Sequence, residues 1–377
     1  VAKRGEVVLH HTIPLILAST YPIYIGEDIF CDLGLLTPHL IGKQILIVSQ
    51  ENIAQHYLAK LQANLANFQC NSVLLPTGER YKTLAEWQTV LDVLLQHKHE
   101  RSTTLIALGG GIVGDITGFA AACYLRGVNY IQIATTLIAQ VDSAIGGKTA
   151  VNHPLAKNMI GAFHQPVCVI ADIALLRTLP QREYIAGLAE VVKYALIYAV
   201  DFFNWLENNI DKLLVRDTGA LLHAVHTSVA IKTNIVMQDE CDQDLRNILN
   251  FGHTFGHALE AANHYENLLH GEAILIGMQM AIHLSVTVTG LAPASATRIL
   301  KLLQKITFPL LPFELPEPMH FLQWLQHDKK ILAGKNHFIL LEAIGHAIKT
   351  AAVSDTQIIS AIKKGGQNVL PFLVAKT

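Results

Sequence analysis

Short apolar runs alternate with amphipathic stretches through the first half of the chain. QILIVS (44–49), CNSVLLP (70–76), TTLIALGG (103–110), NYIQIATT (129–136) and PVCVIADI (166–173) have the length and β-branched content of buried strands. Between the first three lie ENIAQHYLAKLQANLAN (51–67) and TLAEWQTVLDVLLQHK (83–98), whose apolar positions recur at helical spacing. Strands that are apolar on both faces and separated by helices predict an α/β domain with a mostly parallel sheet. The opening VAKRGEVVLHHTIPLILAST reads as a first strand. Its Glu6, paired histidines and lack of a small-residue cleavage site argue against a signal peptide.

The pattern changes at LRTLPQREY, and from about 183 to 295 helical periodicity dominates. The expected division is an α/β domain over 1–177 and a mostly helical domain over 178–377. FPLLPFELPEPMH, with Pro309, Pro312, Pro316 and Pro318, predicts a connecting loop. A chain of 377 residues exceeds what one core usually organises, which supports two domains.

Composition narrows the function classes. Hydrophobic residues make up 51% and charged residues 15%, yet Asp, Lys, His or Gly interrupts every long apolar run, so the expectation is no membrane span. The five cysteines, Cys31, Cys70, Cys123, Cys168 and Cys241, are scattered without CxxC spacing, which predicts neither a disulfide framework nor a cysteine zinc site, and a cytoplasmic setting. A net charge of −2 without a basic tract predicts no nucleic-acid partner. Small molecules are the expected partners.

Three clusters carry candidate chemistry. GGGIVGD follows the strand-like TTLIAL and opens a helical stretch, so Gly109, Gly111 and Gly114 give G-x-G-x-x-G in a strand–turn–helix setting. Such glycines let backbone approach a pyrophosphate at a helix N-terminus, although a tight turn without ligand uses glycine too. No acid stands about 20 residues on to take the ribose hydroxyls, which leaves Glu79 of PTGERYK as the candidate. Next, Asp142, Lys148, Asn152, Lys157 and Asn158 crowd around Gly146 and Gly147, a set suited to a phosphate or carboxylate. A solvated loop is the plainer reading, and its apolar flanks count against it. Finally, LRNILNFGHTFGHALE read as one helix puts Asn250, His253 and His257 on one face, with His270 nearby in sequence. Glu190 and Lys193 form a polar pair on the otherwise apolar GLAEVVKYALI. A glutamate with two histidines suits catalytic zinc. His253 with His257 is the local alternative, and satisfied core imidazoles are the bland one.

With these residues in view, the chain closely resembles the 3-dehydroquinate synthases. PTGERYKTL, GGGIVGD, YLRGVNYIQIATTLIAQVDSAIGGKTAVN, GLAEVVKYALI, LRNILNFGHTFGHALE, HGEAI and HDKK occur in order at family-like spacing between about Tyr21 and Leu341. The resemblance implies an N-terminal NAD-binding α/β domain, a helical metal domain and a homodimer. It implies Glu190, His253 and His270 as ligands of Zn2+ or Co2+, with His257 contacting substrate instead. The implied NAD site is Thr77, Gly78, Glu79, Arg80, Tyr81, Lys82, Gly111, Ile112, Val113, Gly114, Asp115, Thr135, Thr136, Lys148, Lys157, Leu175, Leu176, Arg177 and Thr178. Asp142, Lys148, Asn158, Lys193, Lys232, Arg246, Asn250 and His257 match substrate or catalytic positions. Arg126 matches an arginine donated by a partner subunit, and Lys329, chosen over Lys330 in HDKK, a phosphate contact. Gly78, where many relatives carry an acid, and Asp244, where glycine is frequent, depart from the family pattern.

The implied reaction takes 3-deoxy-D-arabino-heptulosonate 7-phosphate to 3-dehydroquinate and phosphate. It runs through transient NAD oxidation, phosphate elimination, re-reduction, ring opening and aldol closure. A sibling cyclase acting on glucose 6-phosphate or sedoheptulose 7-phosphate is the nearest alternative, and Arg246 favours the carboxylated substrate. A metal-dependent polyol dehydrogenase is a further alternative, against which the density of lysines speaks.

Overall fold

Ile45 and Ile47 point to one face of a sheet while Leu46 and Val48 point to the other, and all four are fully buried. Leu105 and Ala107 against Ile106 and Leu108 repeat the alternation on the neighbouring strand. A strand covered on both faces needs apolar residues at every position, which is why these runs read as continuous rather than alternating. The architecture comes from a computed structural model that describes residues 8–17, 20–306, 313, 315–326 and 337–373. The chain divides into two compact units, 1–179 with 221–241 and 180–220 with 242–377.

Unit one carries β1 (Val8–Leu15), β2 (Tyr21–Glu27), α1 (Leu33–Leu36), β3 (Gln44–Gln50), α2 (Glu51–Asn64), β4 (Gln69–Leu75), α3 (Leu84–Gln96), β5 (Thr104–Gly109), α4 (Gly111–Cys123), β6 (Asn129–Ala134), β7 (Lys148–His153), β8 (Ala156–Phe163) and β9 (Cys168–Asp172). Seven strands form one sheet in the order β1-β2-β9-β6-β5-β3-β4, parallel except for β1 against β2. The chain runs from β3 to β4 on one side and to β5 on the other, so the order reverses at β3. Open parallel sheets bind ligands outside the carboxyl ends of their strands at such a reversal. β7 and β8 form a separate antiparallel ribbon, a pairing that the sequence pattern did not predict.

Unit two is mainly helical: α5 (Gln181–Tyr198), α6 (Val200–Leu214), α8 (His253–Ala262), α9 (His270–Val288), α10 (Pro293–Lys305), α11 (Pro318–Gln326) and α12 (Asp355–Leu373), with a hairpin of β10 (Phe338–Ala343) and β11 (His346–Thr350). α7 (Thr218–Gln238) begins in unit two and then supplies 221–238 to unit one, a return that a single cut near residue 177 leaves out. α11 starts at Pro318, inside the stretch expected to be a loop, because proline fits the first helical turn, where no amide donor is needed. By length and composition alone α9 is long and apolar enough to cross a membrane. With 78% of that segment buried inside the protein, it has the burial of a core helix.

His39, His99, His223, His226 and His283 all have ring pKa values held below the ordinary 6.5, in each case chiefly by burial, which penalises the charged imidazolium. Neighbouring His97 adds to the effect at His99. Between the folded and unfolded values the unfolded chain binds more protons, so stability rises with pH there. The contribution is complete above about pH 6.5 and is lost as pH falls toward the depressed folded values. Thermal melts should therefore move down as pH drops below about 6.5. His99→Gln should flatten that slope, and a slope unchanged by the substitution would remove His99 from the account.

Candidate functional site

In unit one the expected nucleotide residues follow the carboxyl ends of parallel strands. Thr77–Lys82 follow β4, Gly111–Asp115 open α4 after β5, Thr135 and Thr136 follow β6, and Leu175–Thr178 come after β9. α4 has Gly110 at its N-cap with no side-chain cap, and its first intrahelical bond runs from Gly114 N to Gly110 O at 3.0 Å. The amides of residues 111–113 thus precede the helical ladder, with the helix dipole behind them. A Cβ at 110 or 111 would sit 3.0 Å from Thr136 Cγ2 or Ser143 Oγ, so glycine keeps this opening clear. These features fit a pyrophosphate.

Not every expected residue offers its side chain. Val113, Leu175 and Leu176 are buried in the core, and Thr135 is 4% exposed, so what they can offer a ligand is mainly backbone. Lys82, 5% exposed, is ion-paired with Asp115 and lies 2.5 Å from Asn158 Oδ1. Desolvation pushes the Asp115 carboxyl up, opposed by the Lys82 ammonium. Asn158 itself adopts φ +53°, a conformation asparagine tolerates, and its amide donates to Asn152 Oδ1 at 3.0 Å. Glu79, the candidate ribose acid, accepts from Asn152 Nδ2 at 2.8 Å. Arg177 is turned toward Glu27, and Thr178 Oγ1 is 2.6 Å from Tyr57 OH. The structure separates Lys148 from Lys157: the first pairs with Phe163 at one end of the β7–β8 ribbon, and the second follows the turn at the other.

Asp142 lies in a single π-helical turn, Ala139–Ser143, of the kind common at functional positions. Lys232 of α7 donates to both its Oδ1 and its carbonyl at 2.5 Å. Arg126 is exposed in a turn where both Leu125 (φ +48°) and Arg126 (φ +66°) are left-handed, a costly backbone for side chains of this size.

Unit two assembles the metal set. From Tyr184 to Ile197 every residue of α5 is buried, including Glu190 (0% exposed) and Lys193 (1%), which form an ion pair one turn apart. Glu190 Oε1 also lies 3.6 Å from His253 Nε2 and 3.8 Å from His270 Nε2. It forms no hydrogen bond among the described residues. Those separations exceed hydrogen-bond length but approach the edge of a tetrahedron, about 3.4 Å, for bonds of about 2.1 Å around zinc. His253 Nδ1 is 3.1 Å from Phe251 O, and His270 Nδ1 is 3.4 Å from Glu260 Oε2. In the Nδ1–H tautomer both rings meet an acceptor at these contacts and turn the Nε2 lone pair toward Glu190, the arrangement of metal-binding histidines. The donor set fits one divalent cation.

Two close helix approaches create this geometry. A Cβ at Gly271 would lie 1.9 Å from the carbonyl oxygen of Ala186, and one at Gly277 would lie 2.2 Å from that of Gly252. Glu190 is one turn beyond Ala186, His270 adjoins Gly271, and His253 follows Gly252. The start of α9 is further tied to α5 by Arg182, whose Nε and Nη2 meet Glu272 Oε1 and Oε2 at 2.5 and 2.6 Å. Glu272 also accepts from Leu269 N at 2.8 Å.

The run 245–260 is not one helix. A 3-10 turn, Leu245–Asn250, ends at Phe251, Gly252 turns left-handed at φ +79°, and α8 begins at His253. Asn250 consequently does not share a helical face with the histidines, and its Nδ2 donates to Asn247 O at 3.1 Å. His257 remains beside the set, its ring 5.5 Å from that of His253 and 5.9 Å from that of His270. Arg246 is 2% exposed in the preceding turn. Lys329 falls outside the described residues. Sequence reading missed Glu260, Glu272 and Arg182, although Glu260 stands seven residues after His253, the spacing of one helix face.

Residues 72–186 match the family model described as 3-dehydroquinate synthase N-terminal, and residues 187–331 match 3-dehydroquinate synthase C-terminal. A 3-dehydroquinate synthase of Teredinibacter turnerae is 48% identical over 332 residues, which cover 88% of this chain and 92% of the relative. Among solved structures, 2-deoxy-scyllo-inosose synthase complexed with carbaglucose-6-phosphate, NAD+ and Co2+ is 26% identical, with a TM-score of 0.86 over 94% of this chain and 100% of the other. 2-epi-5-epi-valiolone synthase from Streptomyces hygroscopicus subsp. jinggangensis, with NAD+ and Zn2+ bound, is 28% identical, with a TM-score of 0.83 over 92% of this chain and 97% of the other.

Gly271→Ala should lower stability by about 1–3 kcal/mol through overpacking. It should also weaken zinc binding, because α5 and α9 must move apart. Thermal melting and a zinc titration check both effects, and a variant with unchanged metal affinity would contradict the close-approach account.

Proposed function

Because the chain belongs to the 3-dehydroquinate synthase family, we propose that it converts 3-deoxy-D-arabino-heptulosonate 7-phosphate to 3-dehydroquinate and phosphate, using NAD bound by unit one and a divalent zinc or cobalt ion bound by unit two. The observation that carries the metal part of the reading is the buried Glu190 oxygen facing two imidazole Nε2 atoms. Bound in unit one, nicotinamide would supply a hydride acceptor for the C5 hydroxyl that is regenerated within each turnover. The divalent ion supplies a Lewis acid for the substrate hydroxyl.

The chain's own residues bind, orient and compensate charge. Residues 111–113 at the start of α4 direct their amides to the dinucleotide phosphates, and Lys82 and Asp115 fix one end of that cradle. Leu175, Leu176 and Thr178 shape it through backbone and hydroxyl, while Thr77, Gly78, Arg80 and Tyr81 line the turn after β4. Lys232, held by Asp142, keeps a positive charge in a fixed position, and Lys148, Lys193 and Lys329 supply further cations for an anionic substrate. Arg246 takes the carboxylate with paired N–H donors. His257, Asn158 and Asn250 hydrogen-bond substrate hydroxyls. The proposal includes a homodimer to which the exposed Arg126 contributes across the interface.

Protein loaded with zinc and given catalytic NAD should release many phosphates per NAD, with 3-dehydroquinate as product and no accumulation of NADH. A chelator should abolish turnover, and added zinc should restore it. No phosphate release from this substrate, or NADH rising one for one with a polyol, would overturn the reading in favour of a sibling cyclase or a dehydrogenase. Arg246→Gln should raise KM for the carboxylated substrate by about 10-fold or more, as expected for loss of a charge-assisted hydrogen bond.

A further inference from the structure

Glu260 presents its Oε2 to the Nδ1 of His270 at 3.4 Å. It is 4% exposed and sits on α8, two turns beyond His253. The His270 ring consequently lies between two carboxylates, Glu190 on the Nε2 side and Glu260 on the Nδ1 side. The Nδ1 of His253 lies instead 3.1 Å from a neutral carbonyl, that of Phe251. The two histidines are thus supported by acceptors of different charge.

We infer that Glu260 is a positioning residue for the metal centre: it fixes the tautomer and orientation of His270 and raises the donor strength of its Nε2. Burial strengthens this effect, because a carboxylate acting in low dielectric polarises an N–H donor more than one in water. Outer carboxylates of this kind typically change metal affinity by about 10–100-fold. The competing geometry is direct ligation, since His257, Glu260 and His270 also present ligand atoms within 4.8 Å of one another. His270 would then bind through Nδ1, giving up its contact to Glu260. Two observations favour the positioning role. The Glu190 oxygen nearest both Nε2 atoms has no hydrogen bond among the described residues, and His253 independently turns its Nε2 toward the same oxygen.

The inference rests on the metal reading proposed above, and its test separates the two. Zinc affinity is measured by competition with a chromophoric chelator for the unsubstituted protein, Glu190→Ala, Glu260→Ala and Glu260→Gln, and the visible spectrum of the cobalt-loaded forms is recorded. Circular dichroism of the metal-free proteins checks folding. Glu190→Ala should abolish tight binding, and retained binding there would refute the metal reading itself. Glu260→Ala should weaken zinc about 10–100-fold and shift the cobalt spectrum. Glu260→Gln keeps a neutral acceptor for Nδ1–H and is a poor ligand, so it should recover part of the affinity lost in Glu260→Ala. Equal large losses in the alanine and glutamine variants would make Glu260 a direct ligand and overturn the positioning role. Unchanged affinity in both would overturn it as well, with Glu190→Ala still showing where the metal binds.

Discussion

A carboxylate with no exposed surface is the interaction on which unit two turns. Isolated in a helix as apolar as α5, the Glu190 charge would cost several kcal/mol even after relaxation. Lys193 compensates one side and the two imidazoles face the other, but only because three helices meet at backbone distance. Gly271 against Ala186 and Gly277 against Gly252 set that distance, and Glu190, His253 and His270 are each within one turn of such a contact. Arg182 with Glu272 then holds the first turn of α9 in place. Packing and side-chain geometry are one arrangement: whatever separates the helices also separates Glu190 from the two imidazoles.

Unit one solves a different problem with the opposite material. The central strands β3, β5, β6 and β9 are buried along nearly their whole length, so their interiors are closed to ligands and the candidate positions lie where the strands end. β4 and β5 flank β3, at which the strand order reverses, and α4 opens there with uncapped amides. Polar side chains collect in this region through local bonds: Lys82 joins Asp115 and Asn158, Asn152 joins Glu79, and Asp142 holds Lys232. Of these, Lys82 and Lys232 are buried ammonium groups, and a buried charge persists only when it is partnered.

Much of this was legible in the sequence because period-2 and period-3.6 patterns record burial directly. The strands of the parallel sheet, the glycine-rich opening of α4 and the helices of unit two follow from those patterns. Asn250 did not fall where helical spacing put it, because Gly252 takes a left-handed turn that no hydrophobic pattern encodes. The β7–β8 ribbon was hidden for a related reason: its register depends on pairing between residues whose polarity resembles a loop. The return of 221–238 to unit one could not be read from periodicity, since a helix looks the same whichever core it serves. Glu260 carried a readable signal, a seven-residue offset from His253, but its meaning depended on where His270 arrives from a different helix.

X-ray absorption at the zinc edge of the loaded protein tests the central claim most directly, because it counts the imidazoles on the metal. The account predicts two imidazole nitrogens with carboxylate oxygen, a spectrum that keeps two imidazoles in His257→Ala and loses one in His270→Ala. Three imidazoles in the unsubstituted protein, or a count that falls on removing His257 and stays constant on removing His270, would contradict it.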